Sequence, residues 1–352
     1  MSEKELNMNL ETERMKIIVT GGAGFIGSNF IRYWLEKYPK DDVLNFDALT
    51  YAGNLDSLTD IKSNPHYSFV QGDIADFKVV DETIKEFKPD VIVNFAAESH
   101  NSWAVINPSV FFKTNVIGTQ TLLEVCRQNK VARFHHISTC EVYGDLPLDS
   151  DESFSENSPL RPRTPYNASK AGSDLAVRAY WETYKLPVTT TNCSNNYGPY
   201  QFPEKLIPLF VTNLMDGQQV PIYTSSQNRR EWLFVMDHCR AVDLVIQKGK
   251  IGETYNVGSG IEKSVEEITD IILNELGQPA SMKKYVQDRP GHDRRYILDS
   301  SKIRTELGWT PEVEFEEGMR QTIQWYKDNR AWWEPLKKKL QIAEGDWKKD
   351  NK

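Results

Sequence analysis

Between residues 16 and 139 the chain repeats one unit, a short apolar run followed by a longer amphipathic stretch. The runs are KIIVT (16–20), VLNFD (43–47), YSFVQGD (67–73), VIVNFAA (91–97) and RFHHIST (133–139). Stretches such as NFIRYWLEKY, VDETIKEF and GTQTLLEVCRQN lie between them. Buried strands that alternate with helices build a parallel sheet covered on both faces. The expected fold is therefore α/β, a Rossmann-type doubly wound parallel sheet. After about residue 184 the pattern is less regular and richer in Pro, Asn and Gly. LPVTTTNCSNNYGP opens with one more core strand, PYQFPEKLIP reads as loop, and 266–276 and 316–329 read as amphipathic helices. This predicts a smaller C-terminal α/β substrate lobe. The expected division is a polar tail at 1–14, a dinucleotide-binding domain at 15–185 with a returning segment near 226–255, a substrate lobe mainly at 186–336, and a polar tail at 337–352.

Composition narrows the function. Lys and Arg number 42 and Asp and Glu 50, a net charge of −8. That balance argues against a nucleic-acid partner, because phosphate-backbone binding rests on basic surfaces. The four cysteines lie far apart with no CxxC pair. Neither a metal site nor a disulfide framework is expected, and a reducing cytoplasm is the expected location. No run approaches the roughly 18 apolar residues of a membrane span, and residues 1–14 lack an apolar signal core, so no membrane partner is expected.

Gly21, Gly24 and Gly27 follow the first strand and precede a helix. Glycines there allow a tight turn and let backbone N–H groups approach a pyrophosphate at the helix N-terminus. Asp47 closes the second strand, 20 residues beyond Gly27. A carboxylate at that place binds the ribose hydroxyls and repels a 2′-phosphate, which predicts NAD rather than NADP. Asp73, after the third strand, is either a helix N-cap or, with Ile74, an adenine contact. Ala96, Ala97 and Ser99 end the fourth strand with small side chains over which a cofactor can lie.

Tyr166 and Lys170 are spaced i and i+4, so on a helix they share a face. An ammonium beside a phenol lowers its pKa from about 10. The phenolate can then take a hydroxyl proton as hydride leaves for a nicotinamide. Ser138 and Thr139 precede the pair in the order such sites use.

Over about 15–336 the chain resembles dTDP-glucose 4,6-dehydratases, a family of extended short-chain dehydrogenase/reductases. The matching segments are VTGGAGFIGSNF, DALTYAGNL, NFAAESH, TNVIGT, EVYGD, PYNASKA, CSNNYGPYQFPEKLIPL and DRPGHDRRY. The resemblance implies a tightly held NAD, also touched by Phe25, Ile26 and Thr114. It implies oxidation of a nucleoside-diphosphate hexose at C4, loss of water across C5–C6, and hydride return to C6 to give a 4-keto-6-deoxy sugar. It assigns the diphosphate and nucleoside to the segments carrying Asn195, Asn196, Lys205, Arg230, Asn256, Arg289 and His292, with Tyr223 stacking on the base. It also implies a homodimer formed by helices of the NAD lobe, for which 171–184 could supply a face.

Three segments depart from the family. Where it usually has Thr-Asp-Glu, with Thr at the C4 oxygen, Asp as acid and Glu as base, this chain has Thr139-Cys140-Glu141. Cys140 is then a buried filler with Glu141 moving both protons, or the acid itself, or the mark of a nucleotide-sugar 5,6-dehydratase. The last resembles this chain at STCEVYG, acts on UDP-N-acetylglucosamine and returns hydride to C4, leaving an alkene. Where the family reads SHVDRS, residues 99–104 read SHNSWA, and 223–226 read YTSS in place of a Tyr-Gly. A 4-epimerase would need no base such as Glu141. A catalytically silent NAD-binding protein is the alternative outside enzymes.

Overall fold

The computed structural model describes residues 14–288 and 290–339. Residues 1–13 and 340–352, which hold most of the two expected tails, lie outside them.

Seven strands form one sheet: β1 (Lys16–Thr20), β2 (Asp42–Asp47), β3 (Tyr67–Gln71), β4 (Val91–Asn94), β5 (Arg133–Thr139), β6 (Val188–Cys193) and β10 (Thr254–Val257). Their order is β10-β6-β5-β4-β1-β2-β3, every pair parallel. This is the Rossmann order extended by one strand. The first five strands are joined by helices or turns that include α1 (Phe25–Lys37), α2 (Phe77–Phe87), α3 (Asn101–Ile106), α4 (Pro108–Phe111) and α5 (Thr119–Asn129). A π-helical turn, Phe112–Gly118, runs from α4 into α5. After β5 come a 3₁₀ turn at Cys140–Tyr143 and the long helix α6 (Pro165–Tyr184).

Both faces of the sheet are covered. On one, Phe30, Ile31 and Trp34 of α1 meet strand residues and the later helix α8 (Val235–Lys248) through Val242 and Ile246. On the other, Val80 and Ile84, Leu122 and Leu123, and Val177 close over Ile18 and Ile92. Burial on two faces explains why these strands read as continuous apolar runs.

The sheet departs from the expected boundaries in an informative way. β3 and β4 stop at Gln71 and Asn94, two and three residues short of the runs ending at 73 and 97. One further rung continues beyond each, with Gly72 N–H donating to Asp47 O and Phe95 N–H to Thr20 O. The chain then turns away and leaves small side chains at the carboxyl edge.

The remaining chain builds a second core. β9 (Arg229–Phe234) lies between β11 (Glu262–Ser264) and β13 (Arg295–Tyr296) and also pairs with β7 (Asn195–Tyr197). β8 (Val220–Tyr223) pairs with β12 (Lys283–Val286). Helices α7 (Leu206–Met215), α9 (Val265–Glu275) and α11 (Phe315–Asp328) surround Ile207, Phe210, Ile268, Ile272, Met319 and Ile323. α10 (Ser301–Leu307) lies beyond them, against β10 and α8. The loop expected through 208 instead starts α7 at Leu206, because Pro208 falls in the first turn, where a missing N–H costs nothing. α12 (Arg330–Lys338) runs past the tail boundary expected at 337, where Lys337 Nζ pairs with Asp216 at 2.7 Å. No helix among the described residues is long and apolar enough to cross a membrane.

Candidate active site

Two cavities meet at the carboxyl edge of the large sheet, where ligands bind in open α/β folds. The first, about 340 Å³, is lined by the glycine loop, the ends of β2 to β5 and the start of α6. Gly21 has φ +67°, and a Cβ on it would sit 2.7 Å from the Ala96 backbone. A Cβ on Gly27 would lie 2.3 Å from Gly21 O. Both positions therefore exclude any side chain. Gly24 caps α1 with no side-chain hydrogen bond and no acidic residue in the first turn. The N-terminal N–H groups at Phe25 and Ile26 therefore face the cavity edge as an anion site.

Asp47 lines the same cavity. Its carboxylate accepts from Ala23 N–H at 2.9 Å and Leu49 N–H at 2.7 Å. Burial pushes its pKa up, and these two donors pull it back. Asp73 accepts from Ala75 N–H at 2.9 Å and pairs with Lys113 at 3.0 Å. It caps no helix, since the cap of α2 is Asp76. Asp73, Ile74, Ala96, Ala97, Ser99 and Thr114 all line the cavity. A pyrophosphate cradle, a ribose-binding carboxylate and a small-residue floor together suit a dinucleotide.

Thr139, Glu141, Tyr166 and Lys170 converge on the inner end of this cavity. Thr139 ends β5, and its hydroxyl accepts from Glu141 N–H at 3.3 Å, starting the turn that carries Glu141. Thr164 caps α6 by accepting from Asn167 N–H, with Pro165 beside it, and so fixes where Tyr166 and Lys170 emerge. Lys170 Nζ donates to Ile137 O at 2.8 Å. The protonation picture differs from the expected one. Burial, and then the charge of Glu141, push the Tyr166 phenol well above its ordinary value, opposed by a hydrogen bond with Thr139. Lys170 is not among the groups lowering it, and burial lowers the lysine's own pKa.

Cys140 is the second correction. It is 1% exposed and packs among Val142, Tyr143, Ala171, Tyr296 and Leu298. Among the described residues lining either cavity it is absent. Burial and the neighbouring Glu141 push its thiol pKa well up. The 3₁₀ turn that starts at Cys140 carries its side chain off the strand and into that apolar cluster, while Ile137, Ser138 and Thr139 all line the cavity.

The second cavity, about 310 Å³, shares Ser99, Glu141, Asn195, Glu204 and Lys205 with the first, so the two form one continuous cleft. Asn195 Oδ1 is buried and meets no partner among the described residues, as suits a ligand contact. Lys205 Nζ donates to Ser99 O at 2.9 Å. Tyr223 and His292 line the far end, their rings edge to face at 5.1 Å. Arg230 lines the wall and stacks on Tyr296 at 4.5 Å. Its guanidinium also donates to Arg229 O and Asp293 O, both at 2.7 Å, so part of the fork expected for phosphate holds the backbone.

Two further residues differ from expectation. Asn196 lines the first cavity, not the second; its amide donates to Ser194 O and its oxygen meets His238 at 3.0 Å. Asn256 lines neither. It is fully buried, accepts from Tyr143 O–H at 2.9 Å and donates to Phe154 O at 2.9 Å, a tie within the core rather than a ligand contact. Arg289 lies outside the described residues. No three His, Cys, Asp or Glu side chains among the described residues come together where they could hold a metal ion.

Sequence reasoning passed over a carboxylate pair in the first cavity, of which Glu204 also lines the second. Glu98 and Glu204 are both pushed up in pKa, by burial first; each neighbours Lys205, and Glu204 accepts from Tyr51 O–H at 2.9 Å. Both stand inside quoted segments, NFAAESH and QFPEKLIPL. Their apolar neighbours gave no sign that they are buried.

Comparison with known proteins agrees with this geometry. The model of the GDP-mannose 4,6 dehydratase family matches residues 18–322. A dTDP-glucose 4,6-dehydratase of Streptomyces niveus is 50% identical over 327 residues, covering 92% of this chain and 96% of that protein. One from Neisseria meningitidis serogroup B is 49% identical over 339 residues, covering 91% and 95%. The dTDP-glucose 4,6-dehydratase of Streptomyces venezuelae, solved with NAD and TYD bound, superposes with a TM-score of 0.89 at 50% identity, covering 92% of this chain and 100% of that one.

Proposed function

The chain belongs to the dTDP-glucose 4,6-dehydratase family, and from that premise we propose that it is an NAD-dependent hydro-lyase converting dTDP-glucose, or a close nucleoside-diphosphate hexose, into its 4-keto-6-deoxy form. The observation that carries this reading is Glu141, a carboxylate on the wall common to both cavities and beside Thr139, Tyr166 and Lys170. A 4-epimerase, which leaves C5 untouched, would need no such base.

The residues fit NAD: Gly21, Gly24 and Gly27 make its cradle, and Asp47 receives the ribose. NAD held there would supply the oxidant for C4 and, once reduced, the hydride for C6. Tyr166 takes the C4 hydroxyl proton, with Lys170 fixed behind it on Ile137 O and Thr139 donating to the C4 oxygen. The 4-keto group acidifies C5–H, and Glu141 removes that proton. Glu141 then gives it to the C6 oxygen as the C6–O bond breaks and water leaves; as hydride adds to C6, C5 takes a proton from Glu141, which solvent has resupplied. Cys140, buried with a raised pKa, is a filler in this scheme. Its presence therefore gives no support to 5,6-dehydration. Asn195, Lys205, Tyr223, Arg230 and His292 hold the nucleoside diphosphate in the second cavity.

On this reading the cofactor lobe is the seven-stranded sheet with its helices, drawing β6 and β10 from beyond residue 185. A homodimer is supported by Phe112, Ile117, Leu175 and Tyr184, which stay exposed on the π-helical turn and α6. Light scattering is expected to give twice the chain mass; a strict monomer would refute this. Four free cysteines support a cytoplasmic site, to be checked by fractionation.

The reaction itself is tested with substrate deuterated at C4, supplied as dTDP-glucose and as UDP-N-acetylglucosamine. Deuterium is expected at C6 of a 4-keto product from dTDP-glucose. Deuterium kept at C4 of an alkene as sole product would overturn the proposal in favour of 5,6-dehydration. No product from either substrate, with NAD still bound, would leave a binding protein.

A further inference from the structure

The segment that departs from the family at 99–104 begins a short helix against the active site, and its first residue makes a contact that no part of the scheme above uses. Asn101 Nδ2 donates to Glu141 Oε2 at 2.9 Å. Its own Oδ1 accepts from Thr164 Oγ1 at 2.8 Å. Thr164 is the cap of α6, the helix that carries Tyr166 and Lys170. We infer that Asn101 is a positioning residue for Glu141, tying the base to the helix that carries the redox pair and holding its carboxylate aimed. The inference rests on Glu141 being the base at C5.

The physical case has two parts. An ionised carboxylate offers only acceptors, so the amide must present its NH₂ to Glu141, and its carbonyl is left for the Thr164 hydroxyl. The observed pattern satisfies both ends. A hydrogen bond made to the charged form of an acid favours that form. Distance along the chain makes the tie informative as well. Asn101, Glu141 and Thr164 are 40 and 63 residues from one another in the pairs concerned, and they come from three separate loops. One side chain therefore sets the relative placement of the groups that act at C4 and at C5. A Val at 101, the family's usual residue there, has neither a donor nor an acceptor.

The test uses the NAD-loaded enzyme with dTDP-glucose and follows deuterium entry at C5 from D₂O across pH. Asn101→Leu removes both bonds. Asn101→Asp keeps shape and the Thr164 bond but replaces the donor with a like charge. Both variants are expected to slow C5 exchange, Asp the more because it sets a like charge against Glu141. Plateau exchange falls about tenfold for Leu while KM stays within about twofold, as loss of orientation alone predicts. Asn101→Gln, which retains the amide, is expected to recover part of the plateau. Profiles unchanged from wild type in both the Leu and Asp variants overturn the inference. If Leu does not fold, the near-isosteric Asp decides alone. Glu141→Gln run in parallel separates the two ideas: continued C5 exchange in that variant refutes Glu141 as base, whereas its loss alongside unchanged Asn101 variants refutes only the positioning role.

Discussion

The first cavity takes its walls mostly from residues within a few positions of a strand end: Gly21 after β1, Asp47 closing β2, Asp73 beyond β3, Ala96 and Ala97 beyond β4, and Thr139 closing β5. The second draws Asn195, Lys205, Tyr223, Arg230 and His292 from segments spread over nearly a hundred residues. In the first, backbone geometry performs the recognition, through glycines that admit no Cβ and an uncapped helix N-terminus. In the second, side chains perform it, and several are themselves held by backbone carbonyls, as Arg230 is by Arg229 O and Asp293 O. The difference teaches that cofactor recognition is repeated wherever the sheet is repeated. Substrate recognition depends on how irregular loops meet.

Four substitutions sharpen this contrast. The largest effect falls on the redox pair lining the first cavity. Tyr166→Phe is expected to lower kcat for 4-keto formation about 10³-fold with an unchanged circular dichroism spectrum, the scale of a lost proton-transfer group. Near wild-type turnover would show that another group takes the C4 proton. Next comes a pair from the less regular half. Arg230→Ala is expected to raise KM by about tenfold or more through lost charge-assisted bonding. Asn256→Ala leaves KM unaltered but lowers unfolding free energy by about 2 kcal/mol, because it orphans buried partners. A KM rise for Asn256→Ala in steady-state kinetics would return that residue to the site. The smallest effect is reserved for Cys140→Ala, with kcat within about twofold and a stability loss of about 1 kcal/mol. A tenfold slowing of C6 oxygen loss in that variant would make the thiol an acid after all.

Much of the site was legible along the chain. β1 and β5 fall where their β-branched runs do, because a strand buried on both faces leaves few polar interruptions. Tyr166 and Lys170 share a helical face by spacing alone. For Cys140 the sequence left three readings open, and its place in the apolar cluster around Tyr296, set by the turn after β5, fits the buried filler. Asn256 misled: its segment resembles a ligand-binding one, but its side chain is consumed by Tyr143 and Phe154. Spacing puts Lys170 on the same face as Tyr166 but says nothing of burial, which acts on both groups.

What the sequence by itself determined is the part governed by local periodicity: the alternation that makes a parallel sheet, the glycines that only one turn geometry accepts, and the carboxylate at the end of β2. Those features act over a few residues, so their physics is complete within a short window of chain. Only the tertiary structure decided which polar side chains face the cleft and which are spent holding the fold. Asn101 meets Glu141 across 40 residues, and Lys205 meets Ser99 across 106. A hydrogen bond is made or missed within a few tenths of an ångström, and no pattern of residue types specifies a loop's position that finely before the two cores have packed.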